Sequence, residues 1–169
     1  MISWVRSIAL MLAVPAVVAS GEARAANAVV QVNATATKPL SLTRVQDLDL
    51  GTIVLAPGTW SGATVSITRA GAFNCTNSST TCSGAPQVAT YTVTGSNNAV
   101  VRIAAPNITL TNQGDPTKTL TLVVDNPGTA TLPNSGTKGV DFSLGGSIAL
   151  SSTTASGLYA GTFDVTVDY

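Results

Sequence analysis

The chain has 169 residues with eight basic and eight acidic side chains, and it has no histidine. Charged residues make up 9% of it, against about 25% in ordinary soluble domains, and the basic ones beyond Arg24 (Lys38, Arg44, Arg69, Arg102, Lys118, Lys138) stand singly. Clustered positive charge to displace phosphate counterions is missing, which excludes nucleic acid as a partner, and without imidazole there is no Ser-His or Cys-His pair, which removes most hydrolase chemistry.

In chain order, Arg6, an apolar stretch over 7–19 and a polar run ending in Ala23-Arg24-Ala25 predict a secretory signal peptide over 1–25. The apolar stretch is too short to cross a bilayer as a helix, and no later stretch is long enough. Export is therefore expected, with a mature chain beginning near Ala26. Residues 26–38 form either an N-terminal extension or a first strand: Val30, Val32, Ala34 and Ala36 alternate with Gln31, Asn33 and Thr35. A single domain is expected over 39–169.

Within it, alternation of apolar with Asp, Thr or Ser predicts strands around Leu48/Leu50/Ile53, Ala63/Val65/Ile67, Ala89/Tyr91/Val93, Val101/Ile103, Ile108/Leu110, Leu120/Leu122/Val124, Val140/Phe142 and Ile148/Leu150. The longest is expected at the end, with Tyr159, Phe163, Val165, Val167 and Tyr169 on one face. Turn signals separate the runs at 56–58, 95–98, 113–116, 126–128, 134–136 and Gly145-Gly146. One face of each strand is apolar and the other wet, which predicts an all-β, Ig-like antiparallel β-sandwich. Cys75 and Cys82, seven positions apart in an exported chain, are expected to form one disulfide that holds a local hairpin.

Formal motif matches fail on context. Ser135-Gly136-Thr137-Lys138 fits S-x-x-K, but it lies in a predicted turn and has no companion K-T-G. Asp47 and Asp49 begin like a calcium loop, yet Gly58 stands where the bidentate glutamate belongs, and strand alternation explains both aspartates. Asn33, Asn77 and Asn107 begin sequons that a chain this rich in Asn and Thr contains by chance. Trp60 is expected in the core or a turn. No catalytic residue, cofactor or metal is expected.

The segment Pro39-Leu40-Ser41-Leu42-Thr43 with Asp47-Leu48-Asp49-Leu50-Gly51-Thr52-Ile53, and the ending Gly157-Leu158-Tyr159-Ala160-Gly161-Thr162-Phe163-Asp164-Val165-Thr166-Val167-Asp168-Tyr169, resemble the DUF4402 family of exported Gram-negative proteins, a domain of unknown function. Leu50 replaces a phenylalanine of that pattern. The same ending also looks like the last strand of chaperone-usher fimbrial subunits, and residues 30–39 like the extension such subunits donate to a neighbour. That resemblance implies a fimbria-like protein of the periplasm or cell surface that assembles by β-strand addition, forms a homo-oligomer or fibre, and is handled by a periplasmic chaperone and usher. The short Cys75–Cys82 spacing departs from the long-range disulfide of those subunits. Two other readings stay open: a self-sufficient monomeric binding module in which 28–37 is the domain's own first strand, and a small outer-membrane β-barrel ending in Tyr169.

Overall fold

Apolar and hydroxyl-bearing residues alternate in thirteen strands, with no helix among the described residues. The computed structural model describes Gln31, residues 33–135 and residues 138–169. Ala36–Tyr169 form one compact unit, and the remainder, Met1–Thr35, lies almost wholly outside the described residues. The strands are β1 (Ser41–Gln46), β2 (Thr52–Leu55), β3 (Ala63–Ile67), β4 (Phe73–Asn74), β5 (Thr80–Ser83), β6 (Ala89–Thr94), β7 (Val100–Ala104), β8 (Ile108–Asn112), β9 (Thr119–Asp125), β10 (Thr129–Thr131), β11 (Val140–Leu150), β12 (Tyr159–Ala160) and β13 (Thr166–Asp168).

All pairings are antiparallel. The main sheet runs β1-β6-β11-β9-β8-β12, with β3 and β4 attached through β11. A three-stranded sheet, β10-β7-β13, and a two-stranded one, β2-β5, complete the all-β sandwich. Two apolar clusters fill it. The first joins β6, β7 and the start of β11 through Val93, Val101, Leu132 and Leu144, all fully buried. The second joins β3, β9 and the end of β11 through Val65, Leu122 and Ile148. Leu48, Val124 and Phe163 pack on both. Each fully buried aliphatic side chain contributes roughly 1.5–3 kcal/mol. Among the described residues the main sheet ends at β1 and β12, and its buried apolar side chains belong to these two clusters.

Three sequence expectations are corrected. Gly145-Gly146 is not a turn: it lies inside β11, an eleven-residue strand that unites the expected Val140/Phe142 and Ile148/Leu150 runs. Up to Leu144 this strand pairs with β6; from Gly145 it pairs with β9 and from Gly146 also with β3, lying between the two as far as Ile148. A Cβ on Gly145 would lie 2.2 Å from the Ile67 carbonyl oxygen, so the glycines mark where one strand passes between two partners at backbone contact. Secondly, 47–50 form only an isolated bridge at Asp49, to Gln87. Thirdly, the terminal run is divided: β12 pairs with β8, β13 with β7, and 161–165 carry no ladder. Extending the β12 register places Pro106, which has no N–H, opposite Val165, and extending the β13 register places it opposite Asp164, so the two pairings are out of step by one residue and do not join into one ladder. Burial still alternates, with Phe163, Val165 and Val167 inward and Asp164, Thr166 and Asp168 outward.

Val30 and Val32 lie outside the described residues. Ala34 and Ala36 are exposed and belong to no strand.

Candidate functional site

The least completed part of the sandwich lies beside the second cluster. β2 has one partner, β5, and β12 has one, β8. Between them opens a groove of about 810 Å³. Its apolar lining comes from Leu48, Leu50, Ile53 and Leu55 of the first limb, from Ile108, Leu110, Leu120, Leu122, Ile148 and Leu150 of β8, β9 and β11, and from Phe163. The bend 154–158, residues 159–161 and the intervening residues of 47–54 contribute the rest. Val54 is 57% exposed and Leu158 70% exposed, and both line the groove. These exposed aliphatic side chains and the apolar depression between them form one contiguous apolar surface.

Both limbs present open backbone. The Ala56 amide bonds to the Ser79 carbonyl at 2.9 Å, in the register that pairs Val54 with Thr81. Hydrogen-bond direction alternates along an antiparallel strand, so the amides and carbonyls of Ile53 and Leu55 turn away from β5. On the other limb the Gln113 amide bonds to the Leu158 carbonyl at 2.8 Å, and Ala160 faces Thr111, so Tyr159 and Gly161 turn their backbone groups away from β8. Neither outward edge pairs with a strand among the described residues.

A family model described as a domain of unknown function (DUF4402) matches residues 40–169. The chain belongs to this family. No curated protein and no solved structure matches it significantly. Parts of both motifs behind the DUF4402 resemblance line this groove: Asp47-Leu48-Asp49-Leu50-Gly51-Thr52-Ile53 from the first, and Gly157–Gly161 with Phe163 from the ending. Leu50, which stands in place of phenylalanine, is one of its apolar residues.

In this DUF4402 domain Cys75 and Cys82 are bonded, with their Cα atoms 6.2 Å apart. The bridge reaches further than a local hairpin: Cys82 belongs to β5, opposite Ile53 of β2, whereas Cys75 follows β4 of the main sheet. It staples the two-stranded groove wall to the body of the domain. Just before the wall, the Asp49 amide donates to the Gln87 carbonyl and the Gln87 amide to the Asp49 carbonyl, at 2.9 and 2.8 Å, while Ile53 and Leu55 pack on the second cluster. The sequence reading missed this because pairing two cysteines does not say which sheets they join.

The C-terminal residues are dispersed. The Tyr159 hydroxyl donates to the Ala155 carbonyl at 2.9 Å, fixing the bend that closes one end of the groove. Phe163 lines the groove, Val165 and Val167 pack on the first cluster, and Tyr169 is half-exposed. Trp60 packs on the second cluster with its indole N–H donating to the Ala56 carbonyl at 3.0 Å. Asp47 pairs with Arg44 at 2.9 Å and Asp49 accepts from the Gly51 amide at 2.8 Å, so both aspartates serve local structure. The Lys138 amide bonds to the Ser135 carbonyl at 3.0 Å, the geometry of a turn. Among the described residues no group of three or more Cys, Asp or Glu side chains converges on a common point. No helix among them is long and apolar enough to cross a membrane.

Proposed function

We propose that this is a strand-acceptor domain: an exported structural protein of the periplasm or cell surface, fimbrial-subunit-like, whose neighbours join by β-strand addition. The donor is the alternating N-terminal segment that carries Val30, Val32, Ala34 and Ala36. The observation that carries the reading is an apolar groove bordered by two outward-turned backbone edges, at Ile53/Leu55 and at Tyr159/Gly161. A strand entering there gains main-chain hydrogen bonds from the edges and buries alternate side chains in the groove. An open edge beside an apolar surface is otherwise an aggregation hazard, which gives such a surface a reason to be covered. Small aliphatic residues at every second position suit the donor, because each must drop between larger groove side chains without lifting the backbone off the edges.

The test is titration of a peptide of residues 27–37 into a domain of residues 38–169. Saturable binding is expected, with a raised unfolding temperature and slowed hydrogen exchange at Ile53, Leu55, Tyr159 and Gly161. A domain that stays folded, soluble and monomeric while ignoring the peptide would overturn the reading.

A further inference from the structure

The groove changes polarity along its length. Continuing the alternation of β9 back by one step puts Lys118 on the face that carries Leu120 and Leu122. Lys118 lines a second depression, of about 450 Å³, which shares Leu120, Leu150, Thr154, Ala155 and Tyr159 with the groove. Toward the other end, a Cβ on Gly146 would touch both Leu122 and Leu48, so Asp47 and Asp49, which flank Leu48, lie beyond Leu122. Leu122 is about 13 Å of strand from Lys118. An aliphatic floor therefore runs between carboxylates at one end and an ammonium at the other.

The two ends differ in what they still offer. Asp47 is paired with Arg44, and Asp49 accepts from the Gly51 amide. Lys118 belongs to no ion pair among the described residues. The nearby Asp115 carboxyl is held below its ordinary range by the Thr117 hydroxyl at 2.7 Å and the Thr117 amide at 3.0 Å, with Lys118 contributing least. Hydroxyl protons lie in the same depression. The Ser151 amide donates to Thr154 Oγ1 at 3.0 Å, which leaves that hydroxyl its own proton, and the Ser151 and Thr153 hydroxyls, 2.9 Å apart, use one proton between them. An ammonium and hydroxyl donors beside aliphatic walls are the donor set for an anionic head on an alkyl chain.

We propose that the groove and the depression at Lys118 together form a site for a free long-chain carboxylate, with its chain along Leu122, Leu120 and Leu150 and its head at Lys118. The groove volume of about 810 Å³ falls in the ordinary range of ligand sites, about 300–1,000 Å³. A bilayer surface is met by clustered basic residues, whereas Lys118 is the one basic side chain among the described residues that line either depression. The inference goes beyond the strand-acceptor reading and does not need it: a strand uses the open backbone edges, a carboxylate only side chains. Both occupants cover Leu120 and Leu150, so each excludes the other.

The test titrates dodecanoate, below its micelle concentration, into residues 36–169, the compact unit of the fold, by calorimetry and thermal melting. Saturable binding and a raised unfolding temperature are expected. Octanoate should bind at least tenfold more weakly, because each buried methylene contributes about fourfold. Dodecanol and dodecylammonium should bind about fivefold or more below dodecanoate. Lys118 is exposed, so its variants should keep the native circular dichroism spectrum. Lys118→Gln should weaken dodecanoate about fivefold and leave dodecanol unchanged, and Lys118→Glu should favour dodecylammonium over dodecanoate. Equal binding of carboxylate and alcohol, or indifference to both Lys118 variants, overturns the inference. It also fails if a domain that binds both dodecanoate and the 27–37 peptide binds them together, since the alkyl chain then lies outside the groove. A domain that binds dodecanoate as expected but ignores the peptide keeps this site and loses the strand-acceptor reading; one that binds the peptide and not dodecanoate does the reverse.

Discussion

Replacing both Cys75 and Cys82 by alanine tests whether the disulfide holds the groove wall. The bridge closes a loop of sequence separation 7, and the chain-entropy relation gives about 2.5 kcal/mol for a loop of that length. For a domain of this size that corresponds to a fall in unfolding temperature of about 10 °C. The loss should not be evenly spread. β2 pairs only with β5, and β5 is attached to the main sheet through the Cys75–Cys82 bridge, so removing the bridge loosens the wall carrying Ile53 and Leu55 more than the first cluster around Val93 and Leu144. Binding of the 27–37 peptide should weaken at least tenfold, on the order of 1.4 kcal/mol or more, at temperatures where the domain remains folded. Circular dichroism melts give the first quantity, calorimetric titration at 20 °C the second, and hydrogen exchange should show a larger acceleration at Val54 and Ala56, whose amides face β5, than at Val93. A variant that melts about 10 °C lower yet binds the peptide as the native domain does would refute the claim that the staple positions the wall.

Val54→Lys and Leu158→Lys, at exposed positions on the two limbs of the groove, should each leave stability within about 0.5 kcal/mol while weakening peptide binding severalfold; equal binding by titration would remove these side chains from the interface. Gly145→Ala should cost about 2–3 kcal/mol or more in urea unfolding, because its Cβ meets the Ile67 backbone, whereas Gly146→Ala meets the movable Leu122 and Leu48 side chains and should cost less. Burial raises the Tyr91 phenol above its ordinary range, with Arg44 opposing and Asp47 adding to the shift. The unfolded chain therefore ionises first, and stability should hold up to about pH 10 and then fall as pH rises further. Absorbance titration near 295 nm should show Tyr91→Phe removing a phenol that ionises above its ordinary range, and an unchanged high-pH limb would contradict the assignment.

By itself the sequence determined the class of the molecule and the direction in which each strand faces. Alternation fixes which side chains can be inward whatever the partner strand is, and Val65, Val93, Leu122 and Ile148 are buried as their pattern required. The two family motifs were also visible, though not that they line a common groove. Pairing partners were not legible, because alternation is a property of one strand and pairing a property of two. Gly145-Gly146 has the composition of a turn, and only the close passage of residues 67–69 makes it the point where one long strand changes neighbours. The terminal run alternates without a break, yet its two ends pair with different strands in registers one residue apart, which only the placement of β7 and β8 decides. The disulfide was expected from two cysteines seven positions apart, whereas its role depends on β4 and β5 lying in different sheets. The open edges at Ile53/Leu55 and Tyr159/Gly161 were decided by tertiary structure alone, since an edge is unpaired only once every other strand has been placed.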